Sequence, residues 1–204
     1  MRYAGRLASF FVVVAFLGFA PAPHAQAAKT SPEKAAQFVH DFGGRVIAVL
    51  ARTDAPEAQL RREIETLIRD SVDIETIGRS SLGSAWQRAS EAQRKDFQEQ
   101  FAVWATRTYA ERLGGNRGGS LTVLGSVGTA NDAYVRTRVA RADGRASLMD
   151  LRIREAQGRM RIVDAEVDGI SMDMTQRDEF ASVVRRQGLD ALITNLKTQV
   201  QAAN

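Results

Sequence analysis

The chain of 204 residues contains no cysteine. That excludes a disulfide framework, a cysteine-ligated zinc site and the lipid-modified cysteine of a bacterial lipoprotein. Histidine is almost as scarce: His24 and His40 are the only two. His40 stands beside Asp41 in a helical stretch, where a single histidine is ordinarily structural or exposed, and there is no His-x-x-x-His pair. No serine occupies a Gly-x-Ser-x-Gly elbow. The glycine-rich run Gly114–Ser120 lacks the lysine and following hydroxyl of a nucleotide loop. Asp150, Asp164 and Asp168 are the carboxylates that a small pocket enzyme would draw on, but strand edges and turns are commoner stations for aspartate. The inventory argues against an enzyme, and nothing in it calls for a metal or a cofactor.

Long apolar runs are also missing, except at the start. Arg2 and Arg6 precede an uncharged run from Leu7 to Ala20, and Ala25-Gln26-Ala27 has the small-x-small form of a cleavage site. Residues 1–27 are therefore expected to be a secretory signal peptide, too short to span a bilayer, with residues 28–204 forming one domain. Export makes nucleic acid an unsuitable partner. Without disulfides, an exported domain must stand on its own core. Basic residues exceed acidic ones by four, and 24 of the 28 are arginine. Arginine excess can mark anion binding, and it can equally follow genome composition.

What is present is patterned. Ser31-Pro32-Glu33 is a helix start, followed by Phe38, Phe42, Val46 and Val49 at helical spacing to about Ala51. Gly43-Gly44 interrupts that run as a candidate bend. A second helix carries Leu60, Ile64, Leu67 and Ile68, and Asp73 caps a third, short one. Gly78 to Gly83 reads as irregular. Ser90 with Gln93 is a capping box, and Phe97, Phe101, Trp104 and Thr108 then share one helical face. Period-two stretches follow at about Leu121–Val127, Ala133–Ala140, Ala146–Arg154 and Met160–Val167, with a hairpin turn at Asp143-Gly144. Two last helices flank Gly188. Helices, then an antiparallel meander, then helices is an α+β order.

The segment Gly158–Phe180 is the densest in signal. Met160 and Ile162 alternate with arginines. Ile170, Met172 and Met174 continue a period of two beyond the turn or bulge signal Asp168-Gly169, and Thr175 reads as a helix cap. The residues Asp164, Asp168-Gly169-Ile170-Ser171, Arg177 and Phe180 resemble the closing block of the MlaC, or toluene-tolerance, family of periplasmic phospholipid carriers. Met160 stands where that family carries a tryptophan. The likeness extends over the middle block through Gly83, Trp86, Ser90, Gln93, Arg94, Phe97, Phe101 and Tyr109, and spans roughly Val72 to Gln201.

The resemblance implies a twisted antiparallel sheet of about four strands, with helices packed on one face and an apolar cleft between the layers. It implies a soluble carrier that binds phospholipid tails and shuttles lipid between outer- and inner-membrane complexes, maintaining outer-membrane lipid asymmetry. The implied partners are an inner-membrane ATP-driven (ABC) lipid transporter with its lipid-binding ring and an outer-membrane lipoprotein–porin assembly. The expected floor of the cleft is Val135, Val139, Met149, Leu151, Ile153 and Ile162, with Ile170 and Met172 as a flexible rim and Phe101 and Trp104 opposite. Arg94, a cation in the first turn of a helix, and Arg145, at an exposed turn, are the expected partner contacts. A hopanoid carrier, a small pocket enzyme and an adaptor with an apolar groove remain alternatives on the same scaffold.

Overall fold

The computed structural model describes residues 30–202. The leader expected over residues 1–27 lies outside them. Five helices come first: α1 (Pro32–Leu50), α2 (Glu57–Ser71), α3 (Ile74–Leu82), α4 (Ser84–Arg88) and α5 (Glu91–Gly114). An antiparallel meander follows: β1 (Ser120–Gly128), β2 (Asp132–Ala140), β3 (Ala146–Ala156), β4 (Arg159–Val167) and β5 (Ile170–Ser171). Helices α6 (Met172–Gln187) and α7 (Leu189–Ala202) complete the described chain. The α+β expectation holds, with a fifth strand of two residues added to the four expected.

The helix starts follow from local chemistry. Ser31 accepts a hydrogen bond from the Lys34 amide, and Pro32 occupies the first turn of α1, where a missing N–H costs nothing. Both halves of the Ser90–Gln93 capping box form. Asp73 accepts from the amide and the hydroxyl of Thr76. Helix α1 runs through Gly43 without interruption, because that glycine is a contact surface. A Cβ there would lie 3.0 Å from a methyl of Leu121 in β1.

Three sequence expectations are corrected. Gly78–Gly83 is mostly helical, as the second half of α3, and only Gly83, at φ +52°, breaks the chain before α4. The helix there answers to packing: Gly78 lies under the ring of Phe101. The period of two does not run past Ser171. Asp168 and Gly169, both at positive φ, make a two-residue turn that pairs Val167 with Ile170. Ser171 then caps α6 by accepting from the Met174 amide, while Thr175 lies inside the helix and donates to the Ser171 carbonyl.

Register puts alternate side chains on one face. Ala133, Val135 and Thr137 of β2 stand opposite Ile153, Leu151 and Met149 of β3. Those positions are buried or half-buried against the helices, while Arg136 and Arg138 point to solvent. The outward charges pair across strands: Arg136 forks onto Asp150, and Arg154 forks onto Asp132. The Arg136 fork holds the Asp150 carboxyl below its usual range, with burial opposing.

The interior divides into two apolar clusters. One joins the sheet to α1 and α2 through Val39, Phe42, Val46, Ile64, Ile68, Val135, Leu151, Ile153 and Ile162. The other is helical, built from Ile77, Leu82, Phe97, Phe101, Ala105, Phe180, Leu192 and Leu196. Helix α5 spans both, giving Phe97, Phe101 and Ala105 to the second and Ala110 to the first. Val72, Ile74 and Tyr109 pack half-buried against both clusters, so they mark the seam between them.

Candidate functional site: an open seam between two cores

The seam opens at one end into a cavity of about 800 Å³. The α2–α3 junction supplies Val72, Asp73 and Ile74, and α5 supplies Ala102, Val103, Thr106 and Arg107. The end of the β3–β4 hairpin, from Ala156 through Arg159 to Arg161, reaches over the opening. The position follows from a short parallel bridge. Val72 pairs with Ile162, and the Asp73 amide donates to the Ile162 carbonyl at 2.9 Å, which ties the break between α2 and α3 to the sheet. Arg161 strengthens the tie by donating to the carbonyls of Arg69 and Asp70 at the end of α2. The β3–β4 hairpin turns at Gln157-Gly158, both at positive φ.

The cavity lining mixes apolar and charged groups. Val72, Ile74, Ala102, Val103 and Ala156 supply its apolar groups, and Glu65, Arg69, Asp73, Glu75, Arg107, Arg159 and Arg161 its charged ones. Its volume falls within the roughly 300–1,000 Å³ of ligand pockets. Apolar and charged groups side by side suit an amphiphile, which needs a dry contact for its tail and a wet one for its head.

None of the ten residues expected from sequence to touch lipid lines this space. Val135, Leu151, Ile153 and Ile162 are buried in the sheet cluster and Phe101 in the helical one. Ile162 backs the cavity through its bridge to Val72, and Phe101 precedes Ala102 on α5. Trp104 is half-buried with its ring 5.6 Å from that of Phe101, and its indole donates to Gln199. Val139 is half-buried at the far end of β2. Met149, Val167 and Ile170 share one cross-strand row that runs from the core to the surface, where Ile170 is 60 % exposed. Met172 lies near that row's outer end, its sulfur 3.9 Å from the Arg112 guanidinium.

Sequence reading missed Val72, Ile74, Ala102 and Thr106. Their one local signal was the break at Val72-Asp73 between two apolar periods.

The two arginines expected to meet partners differ. Arg94 is occupied within the fold: it donates to the carbonyls of Trp86 and Gln87 and lies 5.4 Å from the Trp86 ring centre. It therefore fastens α4 to α5. Arg145 is exposed and pairs with Asp143 of its own turn.

The closing block of the sequence resemblance is a clasp. Asp164 of β4 accepts from the Ser171 hydroxyl and the Asp173 amide, satisfying groups at the start of α6. Asp173 accepts from the Ser80 hydroxyl at 2.6 Å, and Arg177 donates to the hydroxyl and carbonyl of the same serine. Phe180 then seats edge-on against Phe97 and Phe101. Together these residues lock α6 onto α3, α5 and the sheet.

Similarity to known proteins agrees with this architecture. A phospholipid-binding protein from Ralstonia solanacearum, solved in complex with a phospholipid, superposes with a TM-score of 0.71 at 22% sequence identity, over 83% of this chain and 99% of that one. The sequence model of the family described as MlaC protein matches residues 40–198. With helical and sheet clusters, clasp and seam in place, the chain belongs to the MlaC family.

Proposed function

We infer that this protein is a periplasmic phospholipid carrier, and that the acyl chains enter the seam between the two apolar clusters. The cavity where those clusters part carries the reading. Family membership and the fold shared with a protein solved with phospholipid support it. The energetics define the task. Each methylene withdrawn from water contributes about 0.8 kcal/mol, so exposing a 16-carbon tail costs on the order of 12 kcal/mol. A lipid therefore crosses an aqueous gap only when an apolar wall replaces the bilayer. Half-buried Val72, Ile74 and Tyr109 belong fully to neither cluster, so they can part around a tail. In the same proposal the carrier collects lipid at one membrane and delivers it at the other. It moves between an ATP-driven inner-membrane complex and an outer-membrane lipoprotein–porin assembly, and so maintains lipid asymmetry.

The test is lipid content. Protein isolated from the periplasm is expected to carry diacyl phospholipid, identified by mass spectrometry. Ala102→Trp, which fills the cavity from α5, should lower that content at least about fivefold with the circular dichroism unchanged. A hopanoid in its place would redirect the reading to that lipid class. Protein with neither would remove the carrier assignment.

A further inference from the structure

The rim of the cavity has an imbalance that bears on which lipid it takes. Four guanidinium groups and three carboxylates line it. Every carboxylate is engaged. Glu65 lies 3.7 Å from Arg69, Asp73 accepts both hydrogen bonds from Thr76, and Glu75 accepts from Arg79 at 2.9 Å. Arg69 shares Glu65, but Arg161 and Arg159 are not matched in the same way. Arg161 donates to two backbone carbonyls, which satisfy its N–H groups without cancelling its charge. The Arg159 side chain, exposed at the tip of β4, makes no ion pair or hydrogen bond among the described residues. A lipid phosphate at this mouth meets uncompensated guanidinium, the group suited to forked hydrogen bonds with phosphate oxygens. An ammonium on the same headgroup meets Glu65 and Glu75 already paired with arginines, and only Asp73, held by the neutral donors of Thr76, keeps its charge.

We propose that this arginine rim selects phospholipids whose headgroup is net anionic over zwitterionic ones, with Arg159 as the specificity-determining residue. This rests on the carrier reading above and deepens it. Selection arises as much from what the rim withholds as from what it offers. An ethanolamine or choline ammonium brings a positive charge beside Arg159 and Arg161, and Asp73 is the one lining carboxylate without an ion pair among the described residues to offset it.

The experiment loads lipid-free protein from vesicles of equimolar phosphatidylglycerol and phosphatidylethanolamine, with bound lipid quantified by mass spectrometry. The wild type is expected to hold phosphatidylglycerol in about five- to tenfold excess, falling as salt rises. Arg159→Glu should abolish or reverse that excess, and Arg159→Lys should retain part of it. Inorganic phosphate added to the lipid-free protein separates a lipid site from a free-anion site. It should bind more than about tenfold more weakly than the lipid, because it has no tail to bury. Equal loading of both lipids, or an excess indifferent to Arg159→Glu, overturns the proposal and leaves the carrier reading standing. Absence of any bound lipid overturns both. Phosphate bound as tightly as lipid overturns the headgroup assignment.

Discussion

Tyr109 shows how a single residue reports on the seam. It packs against both clusters, and burial pushes its phenol up to about 12, with Arg112 opposing the rise and Asp173 and Asp164 adding to it. The ordinary tyrosine value is near 10, so the unfolded chain ionises first. Below about pH 10 the phenol is neutral in both states and the folded form keeps its full stability. Between about pH 10 and pH 12 the unfolded state releases a proton that the folded state retains, and stability falls as pH rises. Denaturant unfolding across that window should show a loss in the wild type that is smaller in Tyr109→Phe. Identical curves would mean that the seam is wet around this ring. At the same scale, Asp164 and Arg177 were recognisable in the sequence as matching a family block, yet their role was not. Only the fold shows that both hold α6 in place.

At the scale of elements, legibility followed periodicity. The strands were readable because β2 and β3 alternate cleanly between Val135, Leu151 and Ile153 inside and Arg136, Asp150 and Arg152 outside. Helix α5 was readable because Ser90 and Gln93 announce its start and Phe97 and Phe101 repeat at four. The second half of α3 was not readable, because Gly78 and Gly83 resemble loop punctuation and the helical state there is set by contact with α5. That contact makes a prediction for the helix pair. A Cβ at Gly78 would lie 2.7 Å from Phe101 Cδ1 and 2.8 Å from Gln98 Oε1. Gly78→Ala raises intrinsic helix propensity by about 1 kcal/mol, yet overpacking against a buried ring costs about 1–3 kcal/mol. The Phe101 ring is fully buried and held by Phe97, Phe180 and Trp104, so the clash should win. Denaturant unfolding is expected to show net destabilisation of Gly78→Ala by up to about 2 kcal/mol. A gain in stability would show that α3 and α5 separate easily.

For the molecule as a whole, the division of the interior into two clusters matters more than either cluster. Val72, Ala102 and Arg159 come from three distant stretches and share no period, so the cavity they line could not be read from spacing. The sequence offered instead the strongest apolar stripes, and of their residues Phe101, Val135, Leu151, Ile153 and Ile162 are packed into the two cores. A seam of this kind links ligand to stability. A lipid that binds only the folded chain stabilises it by about 2.7 kcal/mol when its free concentration is a hundredfold above Kd. For a domain of this size that raises Tm by roughly 5–10 °C. Delipidated protein should therefore melt lower than loaded protein by that margin, as followed by calorimetry. Two substitutions separate the seam from the cores. Ala102→Trp fills the cavity and should erase most of the lipid-dependent shift while leaving the lipid-free Tm close to wild type. Phe101→Ala removes a ring from the helical cluster and should cost about 3–5 kcal/mol with or without lipid. If Phe101→Ala instead abolished the lipid-dependent shift and Ala102→Trp preserved it, the tails would lie within the helical cluster, and the open seam would be only the path by which they enter.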